Sequence, residues 1–207
     1  MGATQVRRAR VRRTAVLGLV AAAVLLLAAC PASAGRQKVV SGATTLSVPA
    51  ARVAGLTGAD ILVVNEAPVT FRFVWDGALS WLFRAPMAAG GSFDAAAREG
   101  VLVHRGGLRF VNVATGASLP LTGLRVTVDG LSDVVVQAAV GGPPVTRADV
   151  LAASGGAQVE KKGKQVSIRD LQFRPTRQLV VALQTALVGT IDASTVFAVG
   201  DVGFRLK

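Results

Sequence analysis

Four segments of this chain alternate apolar and polar residues with a period of two. In Pro68 to Trp75, the residues Val69, Phe71, Phe73 and Trp75 fall on one face and Thr70 and Arg72 on the other. Leu108 and Phe110 oppose Arg109 and Val111. Leu124, Val126 and Val128 alternate with Arg125 and Thr127, and Val166 and Ile168 with Ser167 and Arg169. Successive strand side chains point to opposite faces, so this pattern specifies half-buried strands; a helix would scatter the same residues around its axis. Turn signals such as Gly90-Gly91, Gly106-Gly107, Asp129-Gly130 and Lys162-Gly163 punctuate the segments. Many short strands at near-regular spacing predict an all-β, two-sheet sandwich. Two stretches break the alternation. Ala50 to Leu56 follows Pro49, and Thr176 to Leu187 follows Pro175 with Leu179, Val180, Leu183, Ala186 and Leu187 at helical spacing. Proline suits the start of a helix, where its missing N–H has no intrahelical partner. One or two short helices are therefore expected. The strand–proline–helix order forms a weak echo between the two ends of the domain. Gly141 to Pro144 does not read as a linker, because neither half alone has the strands to bury a core.

The N-terminal segment has a different character. Arg7, Arg8, Arg10, Arg12 and Arg13 precede an uncharged apolar run from Thr14 to Ala29. A basic start, a short apolar run and small residues beyond it make an export signal over residues 1–34. The run is shorter than the roughly 20 residues a spanning helix needs. Two processing sites compete. Leu27-Ala28-Ala29-Cys30 resembles the lipobox of bacterial lipoproteins, which would put a lipid on Cys30. Ala32-Ser33-Ala34 resembles a small-x-small cleavage site, which would release the chain at Gly35. The expected product is a single β-rich domain, 35–207. If lipidated it is held at the outer face of the cytoplasmic membrane or in the cell wall; otherwise it is extracellular.

Charge and residue inventory narrow the function. The chain carries 23 basic and 12 acidic residues. Five of the arginines precede the apolar run, so residues 35–207 hold 18 bases against 12 acids, a net charge of +6. These cations are dispersed and not interleaved with stacking aromatics, which argues against nucleic acid. A solvated basic surface, weakly attracted to anionic lipid or wall polymers, fits better. Cys30 is the only cysteine, so the domain has no disulfide, thiolate metal site or cysteine nucleophile. His104 is the only histidine, and no metal-ligand spacing surrounds it. It reads as a strand-end histidine bonded to backbone beside a glycine turn, or as a ligand contact. Ser80, Ser92 and Asp94 lack a nucleophile-elbow sequence, and Asp94 with Glu99 reads as a solvated connection rather than an acid–base pair. No enzyme is expected. Trp75, Trp81, Phe71, Phe73 and Phe83 concentrate the aromatic surface; core packing is the default for them, with a ligand-facing ledge near Trp81 and Met87 as the alternative.

The stretch FRAPMAAGGSFDAAAREGVLVHRGGLRF, followed by LPLTGLRVTVDG, lies within Phe83 to Gly130. It resembles the secreted β-rich domains of actinobacterial envelope proteins, and among these the haem-transport-associated HtaA domain family. The shared features are a strand entering a Gly-Gly turn, a His-x-Gly-Gly-Leu hairpin, and a strand ending in Val-Asp-Gly. The C-terminal RPTRQLVVALQTALVGTIDASTVFAVGDVGF resembles the helix-then-strand ending of such domains. The resemblance implies a haem site in which a tyrosine binds iron and a histidine supports it. His104, followed by Arg105-Gly106-Gly107, matches that histidine. The chain has no tyrosine, so His104 would ligate alone. The reading that follows is an exported, non-enzymatic cell-envelope module that recognises an envelope component. The alternative is a carrier of a small apolar ligand, haem or lipid, with His104, Trp81 and Met87 as contacts.

Overall fold

A computed structural model describes residues 35–75, 77–130, 133–141, 146–153, 157–187 and 194–207. Residues 1–34, which hold the expected export signal with Cys30 and Ala34, lie outside the described residues. Gly35–Lys207 forms one compact unit. Its elements in chain order are β1 (Gln37–Val48), α1 (Ala50–Gly58), β2 (Ile61–Glu66), β3 (Thr70–Trp75), β4 (Leu79–Pro86), β5 (Ser92–Asp94), β6 (Glu99–Val103) and β7 (Gly107–Asn112). Then follow β8 (Ser118–Asp129), β9 (Asp133–Val140), β10 (Thr146–Ala153), β11 (Gln158–Lys162), β12 (Gln165–Pro175), α2 (Arg177–Leu187) and β13 (Ala198–Leu206).

The strand faces follow the alternation, and the fold is all-β with two helices. The two-sheet sandwich is corrected: the strands form one sheet that closes on itself. Eight strands complete a ring in the order β12–β10–β9–β8–β6–β5–β1–β13 and back to β12. Three long strands make this possible by changing partners along their length. β1 pairs β5 through Gln37 and Lys38 and then β4 through Ala43 to Val48. β8 pairs β7 through Ser118 to Thr122 and then β6 through Arg125 to Asp129. β12 pairs β11 over its first half and β10 over its last residues. The register of each shifts where the partners change, at Val39/Ser41, Thr122/Arg125 and Ile168/Leu171. A bulge of this kind bends a strand and sharpens its twist, which is what closure requires. The branches that peel away are β11, the β3–β4 hairpin, and the β2–β7 pair. The echo between the chain's ends has a physical counterpart, because β1 and β12 flank β13 on its two sides.

Both prolines precede helices as expected. α2 starts from Thr176, whose hydroxyl oxygen accepts the Leu179 N–H at 3.3 Å, and it buries Leu179, Leu183 and Leu187 against β10 and β8. Asn112 Nδ2 donates to the Leu187 carbonyl at the far end, 3.0 Å away. α1 buries Val53 and Leu56 and bridges β2 and β4. The core between the helices and the ring is closely filled. A void of about 30 Å³ remains among Leu46, Phe83, Phe110, Leu124, Leu179 and Phe197. That is room for about one water and none for a ligand.

Candidate functional site

The sequence places Val69, Phe71, Phe73 and Trp75 on one face of β3, and the structure keeps them there but buries them unequally. Val69 is buried and Phe71 half-buried, whereas Phe73 is 63% and Trp75 76% exposed. The β3–β4 hairpin outruns the core, so its apolar face emerges into solvent toward its tip. Gly77, at φ 70°, turns the chain there, between the paired Trp75 and Leu79. Nothing in strand period marks this change, because period fixes a face and not what covers it.

The emergent face forms one wall of an open groove of about 560 Å³. Phe71 and Phe73 from β3 and Leu79 and Trp81 from β4 make that wall. Leu62 and Val64 of β2 make the opposite wall, and Ala50, Val53, Ala54 and Thr57 of α1 complete it. The aromatics brace each other: Phe71 lies edge-on to Phe73 at 4.9 Å and to Trp81 at 6.2 Å between ring centroids. Thr57 carries the one hydroxyl among the lining residues, and it donates to the Val53 carbonyl at 2.9 Å. The small side chains of Ala50 and Ala54 keep the helix wall low. A half-open, almost purely apolar groove of this volume suits a small apolar molecule. Its size and contiguity set it apart from singly exposed apolar residues.

Of the three residues expected to contact a ligand, Trp81 alone lines this groove. Met87 is 6% exposed and lies elsewhere, in a β-bridge with His104. His104 is 4% exposed, at the inward-facing end of β6. Its backbone N–H donates to the Leu124 carbonyl at 2.9 Å. The expectation of a backbone-bonded histidine holds for the main chain but not for the ring. Nε2 lies 2.7 Å from the Thr44 hydroxyl, in a bond whose donor depends on the tautomer. Nδ1 is buried without a hydrogen-bond partner. Burial lowers the pKa from 6.5 to about 4; the backbone at Leu124 and Leu102 opposes that shift without cancelling it. Asp94 serves its turn: Oδ1 accepts the N–H groups of Ala96 and Ala97 at 2.9 and 3.1 Å. Among the described residues no group of histidine, cysteine and carboxylates could hold a metal.

Haem does not fit these residues. The groove offers no imidazole, thioether or phenolate to iron. The one imidazole is enclosed in the core, with Nε2 engaged by Thr44. The signal sequence reasoning lacked was the mismatch between hairpin length and core. Phe73 and Trp75 carry it, but only a neighbour's absence reveals it.

Comparison with protein-family models and with curated proteins gives no match. Among solved structures, the chain is similar to the crystal structure of the C-terminal domain of HtaA from Corynebacterium glutamicum. The TM-score is 0.56 at 13% identity, over 81% of this chain and 100% of that one. The likeness establishes that this chain shares the fold of that domain.

Proposed function

We propose that this chain is an exported, non-enzymatic binding module of the cell envelope that holds an iron-free apolar molecule in the groove between α1 and the β2 and β3–β4 strands. The carrying observation is a continuous apolar lining that leaves Phe73 in water, where burying an aromatic side chain would be worth about 2 kcal/mol. The N-terminal segment, with its basic start and apolar run, supports export, and Cys30 supports a lipid tether. The fold shared with the HtaA domain supports a place among envelope binding modules.

Of the two tryptophans of the chain, Trp81 lines the groove and reports on it directly, while Trp75 stands at the hairpin tip outside the lining. Titration with palmitate, a single-chain apolar probe, is expected to blue-shift the tryptophan emission saturably. Ala54→Glu puts a carboxylate at the groove wall with only a small loss of helix propensity. It should weaken palmitate binding about tenfold or more, given the cost of burying an unpaired charge. Unchanged emission with palmitate, or full binding by Ala54→Glu, rejects the groove as the site. A haem titration that yields a ligated Soret band rejects the iron-free assignment.

A further inference from the structure

A second surface, on the outer face of the sheet, differs in chemistry from the groove. β11, β12, β13, β1, β4 and β3 lie side by side in that order. At about 4.8 Å between strands they span roughly 24 Å. A depression of about 660 Å³ crosses the first four of these strands and another of about 550 Å³ continues it toward β4; the two share Ser41, Gly42 and Gly203. A third, reaching β3, adjoins through Arg84. Five cations line this trough in sequence across the sheet: Lys162, Arg169, Arg205, Arg84 and Arg72. Two acids accompany them, and both are engaged. Glu160 bridges Lys162 at 2.9 Å and Arg169 at 3.6 Å. Asp201 accepts the backbone N–H of Asp170 at 3.2 Å. Arg205, Arg84 and Arg72 have no ion partner among the described residues.

Gly203 is the telling residue. Glycine inside a strand weakens it and often marks a bulge, a tight bend, or close approach by a ligand or another backbone; the register of β13 runs through Gly203 without a bulge. Elsewhere in β13 the packing explains it: a β-carbon at Gly200 would come 2.7 Å from the Phe173 ring. At Gly203 a β-carbon would meet nothing within 4 Å, and φ is not positive. Neither the fold nor the backbone needs glycine there, yet its bareness joins the two depressions.

We infer that this trough binds an extended anionic polysaccharide, laid across the strands with its acidic groups on the unpartnered arginines and its hydroxyls over the Ser41, Thr45 and Ser167 floor. The joined length suits a polymer better than a single anion. The polar stretch between β11 and β4 presents no aromatic side chain outward, as single-stranded nucleic acid would require for stacking. None of its lining residues is an exposed large apolar side chain that could enter a bilayer. The two surfaces share Phe71 alone among their lining residues, and the trough's proposed contacts, the arginines and the hydroxyls, do not include it, so either assignment can fail alone.

The test is calorimetric titration with polygalacturonate and dextran sulfate, with neutral dextran as control. Both anionic polymers are expected to bind and dextran not to. Affinity should fall at least tenfold between 50 and 300 mM salt, as counterion release demands. Gly203→Val should keep or raise the melting temperature, since a β-branched residue suits an open strand position. The same variant should cut affinity at least tenfold by blocking the joint. Arg205→Ser should also cut it several-fold. Arg125→Ser, which removes an exposed arginine on β8 outside the trough, should change it less than twofold. Failure to bind either polymer overturns the inference. So does equal loss in Arg205→Ser and Arg125→Ser, or wild-type affinity in Gly203→Val; each would reduce the face to diffuse charge. Tighter binding of an oligodeoxythymidylate than of polygalacturonate would make the partner nucleic acid and likewise overturn it.

Discussion

Gly106→Ala is expected to destabilise the domain by roughly 2–5 kcal/mol, from left-handed backbone strain and overpacking together. Gly106 sits at φ 75°. A β-carbon there would overlap the Glu66 carbonyl oxygen and lie 2.9 Å from the Ala67 carbonyl carbon. Both obstacles are backbone, which cannot rotate away as a side chain can. Gly107 is pinned on the other side, where a β-carbon would overlap the Leu121 carbonyl. The turn therefore threads between the end of β2 and the middle of β8, and the glycine pair is what fits. Gly116 supplies the control: its φ is 74°, but a β-carbon would meet nothing within 4 Å. Gly116→Ala should cost only the backbone term, about 1 kcal/mol. A domain of this size loses about 2–4 °C per kcal/mol, so Gly106→Ala should melt about 10 °C lower and Gly116→Ala only a few degrees lower. Equal shifts would show that the close approach contributes nothing. The result bears on the family likeness too. The His-x-Gly-Gly turn is explained by the passage of the backbone and needs no ligand to account for it.

Strand identity was legible because period two is a local property. Closure was not, although the sequence carries a trace of it. In β8 the buried residues are Leu119 and Leu121, then Leu124, Val126 and Val128. The parity changes across Gly123, at φ 58°. In β12 it changes from Val166 and Ile168 to Leu171 and Phe173, across Asp170 at φ 60°. In β1 it changes between Val39 and Thr44. Each change is a bulge, and each marks where a strand leaves one partner for another. A sandwich and a closed ring share the same alternation within a segment; only these shifts separate them. Trp81 could be singled out as aromatic, yet its place in the groove depends on β2 and α1, which the local pattern does not locate. Met87 lies outside the groove for the same reason: it sits at the sheet seam by Gly42, with its backbone N–H donating to the Gly42 carbonyl at 2.9 Å.

Acidification should loosen the same seam through His104. The ring is neutral in the folded domain down to about pH 4, whereas in the unfolded chain it takes a proton near pH 6.5. The unfolded state thus binds more protons over that interval, and stability must fall as pH falls. The stabilisation is fully present above pH 6.5, is lost progressively as pH falls through about 4, and levels off below that. Its size is on the order of 2 kcal/mol by pH 5 and about 3 kcal/mol by pH 4. The structural cause is specific. A protonated ring has two N–H donors; Nε2 can donate to Thr44, but Nδ1 faces no acceptor in hydrogen-bond geometry. The end of β6, bridged to Met87, would then carry a buried charge that the backbone at Leu124 and Leu102 compensates only in part, at the point where β4 and β6 meet. Urea unfolding at pH 7.5, 6 and 5 tests this in a window mostly above the titration of carboxylates. Wild type should lose about 2 kcal/mol across it. His104→Gln keeps a side-chain amide within reach of Thr44 and cannot titrate, so it should start less stable at pH 7.5 and show a nearly flat response. A slope that survives in His104→Gln would place the acid sensitivity elsewhere. A flat wild type would mean that the ring reaches water or a partner when charged, and that the seam opens more readily than its burial implies.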